Sequence, residues 1–249
     1  MQRDRRRVTK VVALFMVLAM VAVVGASLAV SGGTSKSAST STTQSTTPTT
    51  AGTTTTTIDP ALLSEPAKEL LALAAKGRAS KFHVAFTVTG DSFASDVSSA
   101  AVEVWRANGM LRQDTSQTAA SGVDKSQTFA GPDGTTQCLQ AGSEAPACTL
   151  VSTTPATDED LVFGVEVLVR TGAAVVARDD VAAGHPVRCF DVDAGTASNR
   201  GSVCFSGGGA PVSLLTPHFT LTLSSLDDVV DDSTFVLPSP VTVTTVPTN

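Results

Sequence analysis

Apolar positions fall into three regimes along the chain. Residues 11–30 are a continuous apolar run, broken only by Gly25 and Ser27. Residues 31–57 are almost devoid of large apolar side chains. From Ile58 onward apolar residues recur with regular periods, first helical and then alternating.

The helical period comes first. Leu63, Ala67, Leu70, Leu71 and Ala74 repeat at helical spacing, after Asp59-Pro60 and Ser64 as candidate caps, with Pro66 tolerated in the first turn. Gly77, between Lys76 and Arg78, reads as the stop. Alternation follows over 81–89, with Phe82, Val84, Phe86 and Val88 on one side of a strand. A second strand, 98–106, sets Ala100, Val102 and Val104 against Ala101, Glu103 and Trp105, and Asn108-Gly109 is a strong hairpin signal. Further strands are read at 110–115, 123–130, 135–140 and 147–152. Thr157-Asp158-Glu159-Asp160 then opens a second helix, with Leu161, Val165, Leu168 and Val169 as its stripe and Gly172 as its stop. Five more strands are read at 173–179, 187–192, 201–205, 212–215 and 218–224. Short connections favour antiparallel pairing. The expected class is α+β: a strongly curved antiparallel sheet, an open half-barrel, with two main helices on its concave face.

The apolar run at 11–30 sets the side of the membrane. Twenty helical residues rise about 30 Å, the thickness of a bilayer core. Arg3, Arg5, Arg6, Arg7 and Lys10 precede the run, which keeps residues 1–10 cytoplasmic and sends the rest outside. A retained transmembrane anchor is one reading. The competing one is a signal peptide, with Ser27 and Ala29 as small residues before a cut and a secreted product. Residues 31–57 hold 6 Ser and 13 Thr in 27 positions and read as a disordered linker with ends about 25–30 Å apart, either a plain spacer or an O-glycosylated stalk. The domain is expected over 58–238, and 239–249 reads as a flexible tail.

Charge and chemistry narrow the function. Residues 58–249 carry 11 Lys plus Arg against 22 Asp plus Glu, which argues against nucleic acid as a partner. One Trp and no Tyr disfavour a stacking platform. No nucleophile elbow, phosphate loop or dinucleotide fingerprint is present, so no enzyme and no cofactor is expected. His83, His185 and His218 lack ligand spacing, and Asp227, Asp228, Asp231 and Asp232 lack that of a calcium loop. They read as surface residues, as do Asp158 to Asp160 at a helix start and Asp179-Asp180 at a turn. Glu103 and Asp114 can meet across a hairpin, but a carboxylate pair without a pocket is not a glycosidase signal. Cys138 and Cys148 flank one turn, and Cys189 and Cys204 another. Of three connectivities, nearest-neighbour disulfides fit both hairpins, in an exported domain that oxidises its thiols.

The opening helix leading into Phe82-His83-Val84-Ala85-Phe86-Thr87-Val88, the strand Val102-Glu103-Val104-Trp105 and the Cys138 to Cys148 hairpin form a recognisable set. With Arg188-Cys189-Phe190, Val203-Cys204-Phe205, Gly209-Ala210-Pro211-Val212 and Asp232-Ser233-Thr234-Phe235-Val236-Leu237-Pro238, they resemble the lipoprotein-carrier (LolA-like) superfamily. The resemblance is to exported actinobacterial members related to mycobacterial lipid-binding lipoproteins, and covers about residues 60–238. It implies a half-barrel whose helices cover an apolar cavity for lipid or lipoprotein acyl chains. This chain lacks the N-terminal lipobox Cys, so its tether is protein, at the outer face of the cell membrane. The alternative is a non-catalytic envelope sensor or structural interaction module with a filled core.

Overall fold

The computed structural model describes residues 58–90, 97–120, 122–156 and 161–242. The basic tail, the apolar run, the Ser/Thr linker, the helix start at 157–160 and residues 243–249 lie outside the described residues. Among the described residues no helix is long and apolar enough to cross a membrane.

Among the described residues there are two α-helices and twelve strands, eleven of them at the periods read from the sequence. A short 3-10 turn, Pro60–Leu62, capped by the Asp59 side chain, leads to α1, Glu65–Ala79. The Ser64 hydroxyl accepts from the Ala67 amide, and Pro66 occupies the first turn, where no backbone donor is needed. The strands β1 (Phe82–Thr89), β2 (Val97–Ala107), β3 (Met110–Ala119), β4 (Gly122–Gly131), β5 (Gly134–Ala141) and β6 (Ala147–Ser152) form a meander. Asn108 and Gly109 both take positive φ, 54° and 75°, as the tight β2–β3 hairpin demands. Helix α2, Phe163–Arg170, crosses to β7 (Ala174–Ala182). The second meander then runs back through β8 (His185–Asp193), β9 (Arg200–Ser206), β10 (Pro211–Leu215) and β11 (Thr220–Asp227).

β11 pairs with β1, so the first strand of the chain sits mid-sheet. The order is β12-β6-β5-β4-β3-β2-β1-β11-β10-β9-β8-β7, an open, curved sheet, antiparallel throughout except where β12 (Val241–Thr242) joins β6 in parallel. Residues 241 and 242 therefore add a pairing within the segment read as a tail.

The apolar positions of β1 are buried, and the register carries the same face across the sheet: Phe86 stands opposite Val102 on one side and Leu223 on the other. One cluster joins this face to Ala67, Leu70 and Ala74 of α1, Val165 and Val169 of α2, and Phe190, Val203, Phe205, Leu214 and Leu221. Phe190 and Phe205 meet edge to face at 6.1 Å. The interior beneath the helices is packed. On β3 to β5 the same face keeps Leu111 and Ala130 in this core and is otherwise largely polar, with Gln113 opposite Thr128, Thr115 opposite Ser126 and Gln117 opposite Asp124.

Two features depart from the sequence reading. Gly77 does not stop α1: it is buried inside the helix, where the Gly209 backbone comes so close that a Cβ would strike its carbonyl oxygen. Lys76 Nζ and Ser80 Oγ donate to the carbonyls of Gly207 and Gly208, clasping this end of the helix to the β9–β10 turn. Second, Asp179-Asp180 is not a turn. β7 continues to Ala182, and Ala183 and Gly184, both at positive φ, make the turn.

Between the helices, Arg78 donates to both carboxylate oxygens of the buried Glu166, with Arg170 3.7 Å away. Gly77→Ala gains about 1 kcal/mol of helix propensity but overpacks backbone against backbone, which costs typically about 1–3 kcal/mol. Thermal unfolding should show net destabilisation, and a raised Tm would refute the close approach. Arg78→Ala strands a buried carboxylate, with an expected loss toward the lower end of about 3–5 kcal/mol because Arg170 remains. In urea unfolding, the apolar pair Arg78→Leu with Glu166→Leu should lose less than that single change.

Candidate functional site

On α1, Glu69, Ala72, Leu73 and Lys76 recur at helical spacing beside the buried stripe of Leu70 and Ala74. They look across at the β7–β8 hairpin and at Ser206-Gly207. Between them lies an open cleft of about 680 Å³, within the range of ligand sites. Ala72, Leu73, Pro186 and Val187 supply apolar lining, and Glu69, Lys76, Asp179, Asp180 and Arg188 supply charge.

The charges are mutually engaged. Arg188 Nε and Nη2 donate to the two Glu69 carboxylate oxygens at 2.9 and 3.0 Å, and Nη1 donates to Asp179 at 2.9 Å. These carboxylates, Glu69 first, raise the Arg188 pKa above its ordinary value. The Val181 amide, then Arg178, hold the Asp180 carboxyl below its ordinary value. Lys76 is tied to the Gly207 carbonyl at 2.5 Å. Such a cleft offers an apolar lining and a fixed ionic rim.

The other residues singled out in the sequence lie elsewhere. His83 stacks on Trp105 at 4.6 Å, its Nε2 3.2 Å from Glu103, while His185 and His218 are exposed. Among the described residues no cluster of His, Cys, Asp and Glu could hold a metal ion. Glu103 and Asp114 do stand opposite one another, but Asp114 accepts from Arg112 and Gln127 and is already satisfied. Asp231 caps a 3-10 turn, Asp232–Phe235, through the Ser233 amide, which lowers its pKa, and Asp232 accepts from Asn108.

Sequence reasoning missed the outer face of the first meander. There the register aligns His83, Trp105, Arg112 and Phe129, and Arg112 lies 4.8 Å from the Trp105 ring centre and 5.4 Å from that of Phe129. The C-terminal segment lies against this face. Thr234 accepts from Arg112 Nη1 at 2.7 Å, and Leu237 packs with Phe129, Cys138 and Cys148. Trp105 is thus occupied within the fold.

No family model matches this chain, and no curated protein matches it. Among solved structures it is similar to MucB in complex with MucA(peri), at 15% identity over 66% of this chain and 56% of that one, with a TM-score of 0.44. It is also similar to a chain of the Pseudomonas aeruginosa MucA/MucB complex, at 13% identity over 70% and 61%, with a TM-score of 0.46. A third is LprF from Mycobacterium bovis, at 14% identity over 72% of this chain and 99% of that one, with a TM-score of 0.39. The match spans less than two thirds of the first two structures' own length.

Cys138 is bonded to Cys148 and Cys189 to Cys204, each pair facing its partner directly across an antiparallel ladder. The second closes a separation of 15 residues inside the main core. Replacing Cys189 and Cys204 together by Ala should lower stability by about 2–4 kcal/mol in chemical denaturation. Thiol titration of the denatured, unreduced protein should find no free thiol.

Proposed function

We propose that this chain is a non-catalytic module, tethered by residues 11–30 at the outer face of the membrane, whose cleft between α1 and the β7–β9 hairpins holds the apolar part of a lipid or lipoprotein. The observation that carries this reading is the cleft itself: apolar side chains stay open to solvent beside a rim whose charges are already paired. The sequence resemblance implies a hollow half-barrel. Here the helices fill the interior they cover, so an acyl chain is assigned to the cleft at the sheet's end and not to the space beneath α1 and α2.

A second reading, an envelope interaction module that holds no lipid, is favoured by that same packed interior. Native mass spectrometry of the full chain purified from membranes separates the two. Co-purified lipid supports the first, and a clean apo mass with no binding of a fluorescent fatty acid supports the second. Ala72 is exposed in the cleft lining, so Ala72→Trp fills the space without disturbing the core. It should weaken fatty-acid binding at least tenfold with Tm unchanged.

A further inference from the structure

β7 ends the sheet, and among the described residues no strand pairs with its outer edge. It is nine residues long, and Val176 and Val181 are 63% and 66% exposed. An open edge of this length templates pairing with another chain unless charge prevents it. The charges here are Arg178-Asp179-Asp180, at the middle of the strand.

We propose that β7 is a homodimer surface, two copies pairing their β7 strands antiparallel about a two-fold axis through Asp179. An axis normal to the sheet preserves the two faces, so paired residues must differ by an even number of positions. Few registers satisfy this. Centred on Asp179, Arg178 of each copy faces Asp180 of the partner subunit, giving two ion pairs. Ala177 then faces the partner subunit's Val181, and Val176 faces the partner subunit's Ala182, each twice. Centred on Arg178, that residue faces itself, Asp179 faces Ala177 and Asp180 faces Val176. Centred on Asp180, Asp179 faces Val181 and Arg178 faces Ala182. Only the Asp179-centred register makes opposite charges meet.

That register has one unfavourable feature, Asp179 opposite its own copy. Each Asp179 already accepts a hydrogen bond from Arg188 of its own subunit at 2.9 Å, which offsets the repulsion. Arg178 lies beside Asp180 of its own strand and 3.6 Å from Asp191, half exposed, and its five N–H donors suffice for a further carboxylate. The other charges near the edge are Glu69 and Asp193, engaged by Arg188 and Arg200. Pairing along one strand covers less than the roughly 1,000 Å² of a stable interface, so the dimer is weak and concentration-dependent. It also sets the two clefts side by side, since Asp179 and Asp180 border both cleft and edge.

Sedimentation equilibrium of the full chain in detergent tests this, with charge exchange as the probe. Arg178→Asp and Asp180→Arg should each raise the dimer dissociation constant at least tenfold, because like charges then face one another twice. The double variant should restore it to within about threefold of the parent. Asp179→Cys should also form an intersubunit disulfide on mild oxidation, where Val176→Cys and Val181→Cys do not, because only position 179 faces itself. A chain monomeric at all concentrations overturns the proposal, as does a double variant no better than the singles or cross-linking equal at all three positions. None of these readouts involves lipid, so they fail or succeed independently of the cleft's ligand.

Discussion

The sheet is continuous because β1 pairs with β11. Each meander is otherwise a local structure, strand folding back on strand through short turns. The pairing of Phe82–Thr89 with Thr220–Asp227 joins two halves that are remote in sequence. Ordering so distant a contact costs loop entropy before it returns anything. Burial must offset it, and the side chains brought together here, Phe86, Val88, Leu221 and Leu223, are all buried, Phe86 and Leu221 almost completely. Helix α1 strengthens the closure from outside the sheet. It enters β1 directly, yet its C-terminal end is clasped by the β9–β10 turn through Gly77 and Gly209. The start of the chain is thereby fixed to the second meander as well as to the first.

Both halves share one main core, and a second, smaller one lies on the other face of the first meander. Around β7 to β11 and β1, the inner face is apolar and both helices lie on it. On β3 to β5 that face keeps Leu111 and Ala130 in the main core at one end and then turns polar with Gln113, Thr128 and Gln137, while Phe129 and Cys138 point the other way. Phe129 and the Cys138–Cys148 bridge form a second small core, completed by Leu237 from the C-terminal segment. One sheet therefore has a helix-covered side and a strap-covered side.

Much of this was legible. The β1, β2 and β11 alternations, the Asn108-Gly109 turn and the two Cys pairs are local signals, and local signals survive into the fold. What sequence could not show depends on neighbours remote in the chain. Gly77 resembles a helix stop, because nothing local reveals that Gly209 will press against it. Asp179-Asp180 resembles a turn, because charged residues are rare in buried strands, but on an edge strand they stay solvated. Arg106 is buried at the end of an alternation that makes it look inward-facing and apolar by position, and no pattern announces a buried guanidinium. The cleft was illegible too, since its lining comes from one helix face and two hairpins that only the β1–β11 closure brings together.

The two ends of the sheet differ in a way that bears on function. At the β6 end the chain covers its own edge, with Leu237 on the disulfide and Val241 and Thr242 paired to β6. At the β7 end nothing among the described residues does the same. Edge strands left open are ordinarily short or bent. β7 is neither, and its protection consists of three charges, of which Arg178 and Asp180 meet opposite charge in the proposed register. The same residues close the side of the cleft. The β7 end is the part of the described surface where an apolar cleft lining, fixed charge and an unpaired strand edge coincide.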